Sequence, residues 1–360
     1  MKSSFLLITP FFLLIACKPR DFNSEALSTT ARDGLHPLEK IFPDEERHTA
    51  EAVKLAEEGV ETSKKTLGGK SGRDAHTKAH GCVRGAVTIK NDIPKRYKVG
   101  VFSEAKTFPA WIRYSAAAGE KKPDSESGAL GMALKLMNVP GKKILEAEAN
   151  ETTHDFLAVN FPIFLVTDIK EYVALQKWKL LYAARHWSTA QIFSKIKGLK
   201  SADPAEERYW SMAAYALGQT AVKFSFIPCE TRTSVYPQKP TDDFRAELLE
   251  QHLGTRDACY KFALQPYVND KLTPVENPMQ EWKESDSAFT EVATIHIPKQ
   301  SFRSKEQQEF CENLSFTPWH ALPEHRPLGN LNRARKKVYE ATSKKRHGDN
   351  NIQRTEPVPQ

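Results

Sequence analysis

The sequence predicts one α+β domain built largely from antiparallel strands, and three observations carry that expectation. Strand-like segments recur in both halves of the chain. Several alternate apolar with polar residues, as in Lys223-Phe224-Ser225-Phe226-Ile227 and Ala293-Thr294-Ile295-His296-Ile297, which is the period of half-buried antiparallel strands. A chain of 360 residues, 40% hydrophobic and with 19 Phe, 10 Tyr and 6 Trp, can also bury one large core, although length alone would allow two domains.

Lys2 precedes an apolar stretch from Phe5 to Ala16, too short to span a bilayer comfortably but suited to a secretory leader, so residues 1–16 read as a signal peptide. The stretch ends in Leu14-Ile15-Ala16-Cys17, which resembles the lipobox of bacterial lipoproteins, in which the cysteine is lipidated and becomes the mature N-terminus. That resemblance implies a lipid anchor at Cys17. Lys18 stands where an aspartate would commonly retain a lipoprotein in the inner membrane, which implies the outer membrane, facing the periplasm. The other reading is an ordinary leader with a chance cysteine. Residues 17–43 are polar and contain proline, and read as a tether.

The domain is expected over 44–347. Its first element is an amphipathic helix from Asp44 to Lys65, with Ala52, Leu55, Ala56 and Val60 along one stripe. Strands follow at Gly85–Ile89, Ala110–Ala116, Met132–Met137 and Phe156–Asn160, then at Val222–Ile227, Tyr260–Tyr267 and Phe289–Ile297. Helices are expected over Ile169–Leu199, which carries Tyr172, Leu175, Trp178, Tyr182 and Ile192 amid charges, over Thr241–Leu253, and over Leu328–Lys345 after Pro327. Residues 348–360 are polar and read as a disordered tail. No internal repeat and no glycine-rich phosphate loop is present.

The net charge of +7 is scattered along the chain. Without a zinc finger, recognition helix or RNA-binding signature it excludes a nucleic-acid function and bespeaks solubility and weak attraction to anionic surfaces. Beyond Cys17 the cysteines are Cys82, Cys229, Cys259 and Cys311. No Cys-x-x-Cys pair argues for zinc, an oxidising periplasm would permit disulfides in any of three connectivities, and burial as small apolar residues is an equal alternative.

Two clusters can carry chemistry. In Arg73-Asp74-Ala75-His76-Thr77-Lys78-Ala79-His80-Gly81-Cys82, the two histidines and the cysteine could ligate zinc on a helix, but Gly81 and the following strand favour an extended segment in which positions 76 and 80 share a face. Near the C-terminus, Arg335-Lys336-Lys337-Val338-Tyr339 is followed by Arg346. A phenol of pKa about 10 binds ferric haem as phenolate, and an arginine one helical turn earlier stabilises that form. The alternative is a solvated pair along a helix surface.

These clusters keep company with Trp111-Ile112-Arg113-Tyr114-Ser115, Gly131-Met132-Ala133-Leu134-Lys135 and Asp155-Phe156-Leu157-Ala158-Val159-Asn160-Phe161-Pro162-Ile163-Phe164. Taken in order from Arg73 to Arg346, the set resembles the landmarks of haem catalases. Pro318-Trp319-His320 and His325-Arg326-Pro327-Leu328-Gly329 point to the smaller catalase-like proteins, which include catalase-related peroxidases and hydroperoxide-rearranging enzymes. The resemblance implies an α+β fold with a catalase-like antiparallel β-barrel core, haem b as an iron cofactor, and breakdown of hydrogen peroxide or organic hydroperoxides.

Carried over by residue, it makes Tyr339 the iron ligand and Arg335 its attendant cation. Arg73, Arg113 and Arg346 become the arginines on the haem propionates. His76 becomes the distal acid/base, with His80 as a competitor, and Ser115 the hydroxyl that orients it. Phe164 and Tyr172 become pocket aromatics. The family's distal asparagine aligns with Val159, so Asn160 would reach the pocket only across a local bulge. The arginine-containing loop usual before Gly131 is replaced by Gly128-Ala129-Leu130. Alternative activities are a lipid hydroperoxide isomerase or lyase, or a catalytically weak haem-binding lipoprotein. The resemblance leaves a homo-oligomer open, but the shortened arms give no ground for the interlocked tetramer of large catalases.

Overall fold

A meander of four long strands, β1 (Ala79–Ile89), β2 (Thr107–Ala116), β3 (Leu130–Leu136) and β4 (His154–Val159), pairs antiparallel in order. A second set follows, β5 (Tyr209–Trp210), β6 (Tyr215–Leu217), β7 (Thr220–Pro228), β8 (Ala258–Pro266) and β9 (Thr290–Ile297). β9 returns to pair with β1, and the two-residue β5 bridges β4 to β7, so eight strands close into a barrel with β6 appended to β7 at the rim. Closure leaves almost no unpaired edge. The computed structural model of the chain describes residues 34–357, of which those from His36 onward form one compact unit. The leader, Cys17 and most of the tether lie outside the described residues.

The strand pleat sorts the side chains. Even-numbered positions of β2, β3 and β4, among them Ile112, Tyr114, Met132, Leu134, Phe156 and Ala158, enter the barrel core. There Phe156, Phe224, Phe226 and Phe262 pack with ring centroids 5.0–5.6 Å apart. Odd-numbered positions point outward, yet Arg113, Ser115, Lys135 and Asp155 are almost completely buried. A polar outer face can be buried only if other elements cover it and satisfy its hydrogen bonds.

The cover comes from helices and from the C-terminal part of the chain. The helices are α1 (Glu45–Thr66), α2 (Ile169–Arg185), α3 (Trp187–Lys197), α4 (Phe244–Thr255), α5 (Lys305–Asn313) and α6 (Asn330–Asp349). No helix among the described residues is long and apolar enough to cross a membrane. α1, α2 and α6 share an apolar cluster of Ala52, Val166, Ile169, Val173, Leu331 and Ala334. The Asn330 side chain accepts from the Ile169 backbone at 2.9 Å and so ties the starts of α2 and α6 together. α5, which the sequence pattern did not announce, lies against the outer face of β2, with the Phe310 ring 4.7 Å from that of Trp111.

Several expectations are corrected. The helix expected over 169–199 is broken twice: Lys179 takes a positive φ of 37° within α2, and His186 leaves helical geometry before α3 begins. β1 begins at Ala79 rather than Gly85 and carries an irregularity between Ala79 and Gly81. The tail expected to be disordered from 348 instead completes α6 and runs on to Pro357. Its Glu356 carboxylate lies 2.6 Å from the Lys135 ammonium, which also pairs with Asp155 at 2.7 Å. The four later cysteines pair as Cys82–Cys311, joining β1 to α5, and Cys229–Cys259, joining the ends of β7 and β8.

Three buried histidines make stability depend on pH. Burial pushes His80 and His154 well below the ordinary imidazole value and His325 down to about 4. Each stays neutral in the folded protein but protonates in the unfolded chain below the ordinary value of 6.5. Their stabilisation is therefore present above pH 6.5 and lost as pH falls toward the folded values, each by about 1.4 kcal/mol per pH unit. Denaturant midpoints are expected to drop steeply between pH 6.5 and 5. A midpoint flat across that range would contradict the neutral, buried assignment.

Candidate functional site

Two faces meet outside the barrel, one from α6 and one from the segment before β1. On α6, residues four apart share a face, which brings Arg335 and Tyr339 together. Arg335 Nη2 donates to the Tyr339 hydroxyl at 3.0 Å, and Nη1 donates to Asn332 Oδ1 at 2.9 Å. Asn332 is fully buried, and its own amide donates to the carbonyls of Ala214 and Leu328, which fixes the acceptor that steers the arginine. Burial opposes charge on Arg335, but the phenols of Tyr339 and Tyr215 outweigh it and raise its pKa, so the guanidinium stays cationic. The pair is not a solvated one: Lys336 and Lys337 take the exposed face, while Arg335 and Tyr339 turn inward.

On the other side His76 does not share a strand face with His80. It precedes β1 with a left-handed φ of 57°. His80 is buried at the β1 irregularity, its Nδ1 3.6 Å from Asp124, and Cys82 is in a disulfide, so the zinc grouping of His76, His80 and Cys82 does not form. His76 Nδ1 instead lies 3.0 Å from the Ser115 hydroxyl. Burial, and then the charges of Arg113, Arg335 and Arg73, push His76 down to about 3, so its ring is neutral near pH 7. Arg335 acting on His76 links the two faces. Tyr172 links them too: burial, then Asp74 and Tyr339, raise its pKa.

Gly131 makes room for the imidazole, because a Cβ there would come within 2.5 Å of two His76 ring atoms. Gly131→Ala must displace the ring. If His76 is the acid/base, turnover should fall roughly a hundredfold, the cost of a misplaced reacting group. The absorption spectrum of the loaded protein should change little, and unchanged turnover would argue against a role for His76 position.

Asn160 is corrected. Ser115 is the cross-strand partner of Gly131, and Gly131 of Val159, so these three share the face that His76 meets. The β3–β4 register runs without a bulge to Val159, which turns Asn160 to the opposite face. There its Oδ1 accepts from the Leu130 backbone at 2.7 Å and its Nδ2 donates to Ser201 at 2.8 Å. The amide locks the end of β4 to β3. Phe164 and Tyr172 are half-buried with rings 6.2 Å apart, in the cluster that holds Val338, the neighbour of Tyr339.

Three arginines converge beside these groups. Arg73 pairs with Glu312 at 2.8 Å and Arg113 with the same carboxylate at 3.5 Å, while Arg346 donates to the Glu312 and Leu314 carbonyls. Burial, and then mutual repulsion with Arg73, push Arg113 down to about 9 and Arg346 down to about 8. The Arg113 Nε is buried without a hydrogen-bond partner among the described residues. Three guanidiniums around one acid leave positive charge that two further carboxylates would satisfy, and guanidinium forks suit carboxylates. A phenol with its own cation, a neutral imidazole and this cationic edge fit a haem.

Sequence reasoning missed Glu312, Tyr215 and Asn332. Asn332 was within reach, three residues before Arg335 on one helix face. Glu312 and Tyr215 carried no local signal, being far along the chain from the groups they serve.

No protein-family model matches the sequence, and no curated protein matches it either. Solved structures do. A fungal catalase superposes with a TM-score of 0.63 at 16% identity over 79% of this chain and 61% of its own. A bacterial catalase gives 0.60 at 16% identity, covering 79% of this chain and 59% of its own. Catalase A from Saccharomyces cerevisiae gives 0.61 at 14% identity, covering 77% and 61%. The chain thus spans about three fifths of the length of these catalases. With its closed antiparallel barrel and packed helices, it has an α+β catalase-like fold.

Proposed function

We propose that this chain binds haem b and breaks down hydrogen peroxide or organic hydroperoxides. The observation that carries the reading is the nearness of two prepared groups, a neutral His76 bonded to Ser115 and a Tyr339 phenol bonded to a charged Arg335 whose charge reaches His76. When bound, haem supplies an iron centre that accepts the oxidising equivalents of a peroxide. Tyr339 would hold the iron through its phenol oxygen, with the Arg335 cation beside it. Arg73, Arg113 and Arg346 would hold the propionates. His76 Nε2 takes a proton from one peroxide oxygen and returns it to the other, so that water or an alcohol leaves, and Ser115 holds the ring through Nδ1.

A second reading, rearrangement of a lipid hydroperoxide, is favoured by one observation. Val159 stands on the His76 face where an amide would hold hydrogen peroxide, and Asn160 is committed elsewhere. Oxygen release from hydrogen peroxide by the haem-loaded protein supports dismutation. No oxygen release with turnover of a fatty-acid hydroperoxide sinks it in favour of rearrangement or peroxidation. Inertness toward both, with haem bound, leaves a haem-binding lipoprotein. Lipidation of Cys17 and a periplasm-facing outer-membrane location belong to the same reading, and loss of fatty-acid incorporation on Cys17→Ser tests the anchor.

A further inference from the structure

Large apolar side chains gather on the surface of α2 and α3. Trp178 is 61% exposed, Leu180 87%, Leu181 49%, Trp187 75% and Phe193 57%. A regular helix over 169–199 would set Trp178 on the same face as Leu175 and Tyr182. The break at Lys179 instead gives the segment two apolar sets: Ile169, Val173, Tyr182 and Ile192 are buried against the domain, and the five above face outward. Core packing therefore does not account for the outer set, and a concentration of exposed aromatic and aliphatic groups marks an interaction surface.

The charge around this set says what would cover it. Lys170, Lys179, Arg185, Lys195 and Lys197 are exposed on the same two helices, and none has an ion pair among the described residues. The one acid on α2 and α3, Glu171, is bonded to the Tyr182 hydroxyl at 2.6 Å. A second copy of the chain meeting this face about a two-fold axis would set cation against cation. An anionic bilayer offers the opposite arrangement: lipid phosphates for the lysines, and an interfacial layer where tryptophan rings and leucines insert.

We propose that the α2–α3 face docks on an anionic lipid membrane, with Trp178 and Trp187 inserted at the headgroup level and the flanking lysines on lipid phosphates. The docking is independent of the proposed haem chemistry.

The full chain carrying Cys17→Ser, which lacks the acyl site, is mixed with vesicles of equal parts phosphatidylcholine and phosphatidylglycerol bearing brominated acyl chains, and tryptophan fluorescence is followed. Quenching is expected, and in Trp178→Phe/Trp187→Phe most of it should vanish while vesicle binding persists. Leu180→Ser/Leu181→Ser/Phe193→Ser, checked for native circular dichroism, should bind roughly tenfold more weakly, as should the parent on pure phosphatidylcholine vesicles or at raised salt. Quenching unchanged by the double Phe variant would overturn the proposal, because membrane contact through the leader would not involve these rings. Absence of quenching would overturn it as well. So would sedimentation showing a stable dimer that the serine variant disperses, since the face would then bind a second copy.

Discussion

Tyr339→Phe is expected to remove the spectrum of phenolate-ligated ferric haem and to reduce peroxide turnover to background. The argument is one of donor atoms. The phenol oxygen accepts a hydrogen bond from Arg335 at 3.0 Å, and that guanidinium stays charged, so a cation stands beside the atom that would bind iron. Phenylalanine keeps the ring and its packing near Val338 but has no atom to bind iron. The fold should survive, because Arg335 retains Asn332 Oδ1 as a partner and the loss of one hydrogen bond to a charged group costs about 1.5–3 kcal/mol. The check is the absorption spectrum of haem-loaded protein beside its thermal midpoint. A haem spectrum unaltered by the substitution would refute the ligand assignment.

His76→Ala is expected to lower turnover by roughly 10²–10⁴-fold, the span attributed to a positioned acid/base, while haem remains bound. His76 is held by Ser115 and crowded by Gly131, and it is depressed to about 3 by burial and by three arginines. A ring so held is neutral across the physiological range and free to accept a proton. No titration of His76 should therefore appear in the rate between pH 5 and 8. Ser115→Ala should cost less, since it loosens the ring without removing it. Equal turnover in His76→Ala and the parent would transfer attention to other groups and leave Tyr339 untouched, so the two substitutions separate the two faces.

Much of the fold was legible because its signals are local. Alternation along β2, β3, β7 and β9 follows from a pleat of period two, and the Arg335–Tyr339 pair follows from a helix of period 3.6. The reading failed where a local period was interrupted. Residues 169–199 keep helical composition throughout, and nothing in them announces the positive φ at Lys179. His76 and His80 looked like neighbours on a strand, but β1 begins only at Ala79 and is irregular there. The tail looked too polar to pack, yet Glu356 reaches the buried ammonium of Lys135, an interaction only the folded barrel can offer.

By itself the sequence determined which residues offer a phenol, an imidazole and guanidiniums to the proposed pocket, because residue type and short spacing fix that chemistry. Tertiary structure alone decided which of them meet. It set Val159 rather than Asn160 on the face of His76, since strand register depends on pairing between distant segments and a shift of one residue reverses every side chain. It chose one of three cysteine connectivities and brought Glu312 to Arg73 and Arg113. These contacts join segments from 30 to 239 residues apart, and no local period of the chain encodes them.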